Sequence, residues 1–136
     1  MKRLLVLALL ALGLTAACSD STGPGDAVAG TYTLQTINGF PLPVLVDDSG
    51  DPDSELISEQ IMLNSDGSYH GVTRYRDTYF GQAPQIVDEP FNGFWTLSGN
   101  QIALTESGFP NDPLYGTISN NQLTLSVFGV TAVYSR

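Results

Sequence analysis

Between Gly30 and Arg136 apolar and polar residues alternate in short runs, each closed by Gly, Asn, Asp or Pro. A period of two is the mark of strands with one buried face. Gly30–Ile37 is rich in Thr, Tyr, Leu and Ile and stops at Asn38-Gly39, a strong hairpin signal. Phe40–Val46 is a second run, interrupted by proline and therefore suited to a sheet edge. Glu55–Leu63 and Ser68–Arg76 flank Asn64-Ser65-Asp66-Gly67. Phe91–Leu97 and Gln101–Glu106 flank Ser98-Gly99-Asn100, Leu114–Ser119 and Gln122–Val127 flank Asn120-Asn121, and Val130–Ser135 is the last run. Ile61/Leu63, Ile102/Leu104 and Leu123/Leu125/Val127 each point to one face. From Val28 onward no capped 3.6-residue apolar period is sustained, so little or no helix is expected.

Eight or nine strands joined by tight turns predict an all-β fold. A meander loses its exposed edges when the last strand curls round to meet the first. The expected architecture is an antiparallel up-and-down β-barrel of about eight strands; a two-sheet β-sandwich is the alternative, since strand spacing does not separate them. An eight-stranded interior is filled by side chains or holds one small ligand.

The first residues follow another rule. Met1-Lys2-Arg3 is positive, Leu4–Leu14 is an unbroken apolar run, and Thr15-Ala16-Ala17 places small residues before Cys18. This is the layout of a secretory signal. The run is too short for a hydrocarbon core that takes about 20 residues. A cysteine at this point resembles the lipobox of bacterial lipoproteins, which implies a diacylglycerol thioether on Cys18 and anchorage to the membrane through that lipid. An ordinary secretory signal with an incidental cysteine is the alternative. The division expected is a signal peptide over 1–17, lipidated Cys18 with a flexible tether over 18–27, and a barrel domain over 28–136. Ser19 after the cysteine resembles the outer-membrane sorting signal of enteric bacteria, with Asp20 one place beyond the inner-membrane position; the implied address is the cell envelope, at the outer membrane facing the periplasm. Cys18 is the only cysteine, so no intrachain disulfide is available.

Charge narrows the partners. The chain carries a formal −9, and removal of Lys2 and Arg3 leaves only Arg74, Arg76 and Arg136 against all fourteen acids. Such a surface disfavours nucleic acid and anionic headgroups. The loss of Lys2, the one lysine, also removes Schiff-base chemistry and phosphate-loop chemistry.

Gly30-Thr31-Tyr32-Thr33-Leu34 at the start of the domain and Val133-Tyr134-Ser135-Arg136 at its end resemble the lipocalin and fatty-acid-binding-protein superfamily. Gly93-Phe94-Trp95-Thr96-Leu97-Ser98-Gly99-Asn100 and Gly116-Thr117-Ile118-Ser119-Asn120-Asn121 are similar to phrases in small bacterial lipocalin-like lipoproteins. Tyr32 stands where those barrels carry Trp. The resemblance implies a late Arg packed over that position, so Arg136 is expected to lie over Tyr32 as a cation–π plug.

Candidate chemistry is sparse. His70 is the only histidine and has no second histidine or thiol to work with, so a surface role is expected. Asp47, Asp51, Asp53 and Glu55 space oxygen ligands as a calcium loop would, but Pro52 takes the place of the required glycine; a solvated acidic loop is the preferred reading and no metal or other cofactor is expected. Tyr75–Gln85 is a long connection with Tyr79-Phe80-Gly81 at its tip, read as a lid, a partner contact or two short strands. Six Tyr, six Phe and one Trp supply either the filling of a barrel or the lining of a pocket. The expected activity is non-covalent binding of a small apolar or aromatic molecule, with Tyr32, Trp95, Tyr115 and Leu125 as candidate lining residues. A solid barrel serving as a structural or protein-interaction module is the second reading. A hydrolase using acidic residues is a distant third, since no nucleophile–base constellation is visible and no catalytic residue is assigned.

Overall fold

Side chains that alternate in burial along each strand also determine how the sheet curls. In the computed structural model, which describes residues 24–47 and 49–136, α1 (Pro24–Val28) precedes ten strands. These are β1 (Gly30–Ile37), β2 (Phe40–Pro41), β3 (Val44–Asp47), β4 (Asp53–Leu63), β5 (Ser68–Thr78), β6 (Gln85–Ser98), β7 (Gln101–Glu106), β8 (Leu114–Ser119), β9 (Gln122–Val127) and β10 (Val130–Ser135). Strands β4 to β10 form an antiparallel meander, β10 pairs with β1, and β1 pairs back to β4. Eight strands therefore close into an antiparallel, lipocalin-like barrel, and the sandwich alternative does not form. The expected signal sequence, Cys18 and the start of the tether lie outside the described residues, as does Asp48. Pro24–Val28, which overlaps the end of the expected tether, is one helical turn.

The closing seam is split. Gly30–Thr33 of β1 pairs with Gln60–Leu63 of β4, whereas Thr36 and Ile37 pair with β2 and the start of β4 pairs with β3. The proline-interrupted run thus becomes two short edge strands, as proline at an edge requires. On the opposite wall β6 outgrows its expected span: Gly93–Ser98 pairs with β7, but Gln85–Asn92 pairs with β5 alone. Pro90 is tolerated in this strand because that stretch is an edge.

Thirteen buried side chains fill the barrel, with Tyr32, Ile61, Leu63, Ile102, Leu104 and Leu123 the most enclosed. Large buried side chains face each other on neighbouring strands at several points, as Trp95 does Leu104 and Ile118 does Leu123. Three other inward pairs set one large residue against glycine: Tyr69 opposite Gly93, Phe91 opposite Gly71, Leu125 opposite Gly116. A methyl on Gly71 would collide with the Phe91 ring and the Gln60 carbonyl.

The end of the barrel where β1 begins is sealed. α1 lies there, and the Tyr32 hydroxyl donates to the Val28 carbonyl at 2.8 Å. The Arg136 guanidinium stands 5.7 Å from the Tyr32 ring centroid and donates to the Ala29 carbonyl (2.7 Å) and to Asn121 Oδ1 (2.6 Å). This is the arginine plug expected from the resemblance. Trp95 Nε1 donates to the carbonyls of Asn64 and Ser68, each at 3.0 Å, and ties the β4–β5 turn to the seal. At the other end nothing comparable closes the barrel among the described residues.

Candidate functional site

Above the packed half, the inward positions of seven consecutive strands surround a cavity of about 290 Å³ that opens at the unsealed end. Ile61, Tyr69, Phe91, Leu104, Leu114 and Leu125 form its apolar wall. Its polar lining comes from Glu59 on β4, Thr73 on β5, Glu89 on β6, Glu106 on β7 and Tyr134 on β10. Glu59 and Ile61 share the inner face because they are two residues apart on one strand, as are Leu104 and Glu106. A volume of this size is at the lower end of the range of small-molecule pockets, about 300–1,000 Å³.

Glu59 organises the polar side. Its Oε1 accepts from the Tyr134 hydroxyl at 2.6 Å and its Oε2 from Thr73 Oγ1 at 2.8 Å. Tyr134 and Thr73 are buried, so both donors are held by packing and fix the carboxylate without consuming all of its acceptor sites. Burial, followed by the nearby Glu59 carboxylate, pushes the Tyr134 phenol far above its ordinary range. Burial and then Glu106 push Tyr69 up to about 12. Tyr75 is raised as well, by burial first and then by Glu89, Glu59 and Asp77. These tyrosines are therefore neutral hydrogen-bonding groups at physiological pH.

Among the described residues no cation lines the cavity. Arg74 and Arg76 alternate outward on β5, where Arg74 pairs with Asp88 and Arg76 with Glu55, each at 2.6 Å. Arg136 belongs to the sealed end.

The structure places the four sequence-derived candidates in three settings. Leu125 lines the cavity. Tyr32 and Trp95 are buried but belong to the sealed end, outside the cavity wall. Tyr115 is outside the cavity wall and 65% exposed, because its inward neighbours on β8 are Leu114 and Gly116. The acidic loop is dispersed too. Asp47 accepts from the Ser49 amide and hydroxyl, Asp51 accepts from the Phe80 amide, and Glu55 pairs with Arg76. Among the described residues no three His, Cys, Asp or Glu side chains gather as metal ligands would. The residues missed are Glu59, Thr73, Glu106 and Tyr134, and the signal that finds them is strand parity from Ile61, Tyr69 and Leu104.

A second feature marks the open end. Phe40, Phe80, Phe109 and Phe128 are all exposed, Phe80 and Phe128 at 94%, and they sit on or next to the four connections around this rim. Asn38-Gly39, Asn120-Asn121 and Phe128-Gly129 are two-residue turns with both φ angles positive. Asn and Gly are the residues such turns favour; Phe128, at φ 48°, is out of place there.

No family model and no curated protein matches this sequence.

Proposed function

We propose that this protein is a cell-envelope lipoprotein whose barrel holds one small molecule with an apolar body, non-covalently, in the cavity at its open end. The observation that carries the binding reading is a barrel packed at one end and hollow at the other. Tyr32, Leu63, Trp95, Ile102 and Leu123 fill the sealed half, and the space bounded by Leu104, Leu114 and Leu125 is left open. Support for anchorage comes from the signal-like run before Cys18. No helix among the described residues is long and apolar enough to cross a membrane. Because α1 lies at the sealed end, a lipid on Cys18 would tether the domain by that end.

The test uses a matched series, 1-octanol, octanoate and octylamine, each followed by calorimetric titration and by the rise in melting temperature that binding to the native state brings. Saturable binding of any member, lost in Leu114→Trp, supports the reading. Leu114 is half-buried at the cavity wall, so the larger ring fills the space without invading the sealed half. No binding by any member overturns it. The exposed phenylalanines of the rim favour a second reading, contact with a protein partner; Phe80→Ser with Phe128→Ser should then abolish co-purification of a partner from envelope extracts, with the fold unchanged.

A further inference from the structure

Every ionisable side chain in the cavity wall apart from the neutral tyrosines is an acid. Glu59, Glu89 and Glu106 come from three different strands, and among the described residues no arginine faces the space. We propose that the cavity selects a cationic small molecule, an amine whose apolar body lies against Leu104, Leu114 and Leu125 and whose charged nitrogen meets Glu59. This rests on the binding reading above and adds the ligand class.

Geometry supports it at three points. First, Glu59 is held in one orientation by Tyr134 and Thr73, each bonded to a different carboxylate oxygen. Each oxygen retains acceptor capacity, so an ammonium can be received by a preset group, and preorganisation of this kind lowers the cost of binding. Second, the half-open cavity combines that carboxylate with an apolar wall, and beside buried Tyr134 and Thr73 charge–charge terms are stronger than in water. A carboxylate ligand placed there would meet three like charges and no donor stronger than a hydroxyl. Third, the acids do not converge tightly enough to serve a metal ion. They are spread round an opening of about 290 Å³, which suits an organic cation with a modest hydrocarbon body. The Tyr69 and Phe91 rings, 6.2 Å apart by centroid, present aromatic surface to the same space, and an aromatic face attracts a cation.

The octyl series tests this separately from binding itself. Octylamine should bind about tenfold or more tightly than 1-octanol, one charge-assisted contact being worth about that factor, and octanoate should be the weakest. Glu59→Gln keeps the size of the side chain and an acceptor for Tyr134. It should erase most of the octylamine preference and leave 1-octanol affinity within about twofold. Should Glu59→Gln fail to fold, the double variant Glu89→Gln with Glu106→Gln, at the outer part of the cavity, should reduce the preference in the same direction. Equal binding of octylamine and 1-octanol, or tighter binding of octanoate, overturns the cationic selection and leaves the hollow barrel intact. Binding by no member of the series overturns both.

Discussion

Phe128 shows most directly where a side chain and its backbone disagree. It occupies the first central position of the β9–β10 turn at φ 48° and leaves its ring 94% exposed. A left-handed conformation costs most L-residues about 1–2 kcal/mol, and asparagine tolerates it by local hydrogen bonding. The ring gains no burial to offset that cost. Phe128→Asn should therefore stabilise the protein by about 1 kcal/mol, raising the melting temperature by about 4 °C; an unchanged or lower value in a thermal melt would contradict the strain. Asn38 and Asn120, at φ 51° and 50°, already show what the backbone prefers. A residue that costs stability and remains exposed beside a cavity entrance gives folding nothing, and this is the ground of the proposal that the rim phenylalanines meet a partner.

At the level of strands, three inward pairs set a large side chain against a glycine. Gly71→Ala should destabilise by about 1–3 kcal/mol, the usual cost of overpacking, and Phe91→Leu should not restore it, because the Gln60 carbonyl blocks the methyl as well. Chemical denaturation of the single and double variants decides this. The same level explains how much was legible beforehand. The runs at Gln101–Glu106, Leu114–Ser119, Gln122–Val127 and Val130–Ser135 coincide with β7 to β10, since alternation and Asn/Gly turns both speak there. The start of β6 was hidden because Asp88-Glu89-Pro90 reads as a connection, and only an unpaired edge permits it inside a strand. Among site residues, aromatic content drew attention to Tyr32 and Trp95, which close the barrel. Acids between apolar residues read as solvent-facing, so Glu59 and Glu106 were legible only through the parity of Ile61 and Leu104. The end of the barrel that stays open depends on long-range packing, which alternation does not encode.

For the whole molecule, the tyrosines that line or adjoin the interior give stability a defined dependence on alkaline pH. Tyr32, Tyr69, Tyr75 and Tyr134 are all raised above 10, burial being the first cause in each. Unfolded phenols lose their protons from about pH 10 upward, whereas the folded chain retains them. The native state then binds more protons than the unfolded one, so stability is intact below about pH 10 and falls as the pH rises beyond it, through about 12 for Tyr69. Melting temperatures measured at about pH 9, 10 and 11 should decline over the last interval, and Tyr134→Phe should decline less; a flat profile would contradict the burial of these groups. The closed end carries a further consequence, for time. Thr33 pairs with Ser135 and the Arg136 guanidinium stands over Tyr32, so β1 finds one of its two barrel neighbours only at the far end of the domain. Pairings of such long separation are slow to form because loop closure precedes their reward. The β4–β9 hairpins can assemble one by one as the chain emerges, yet the wall stays unsealed until β10 is available, and a cut that removes only this strand would add two unpaired edges, on β1 and β9.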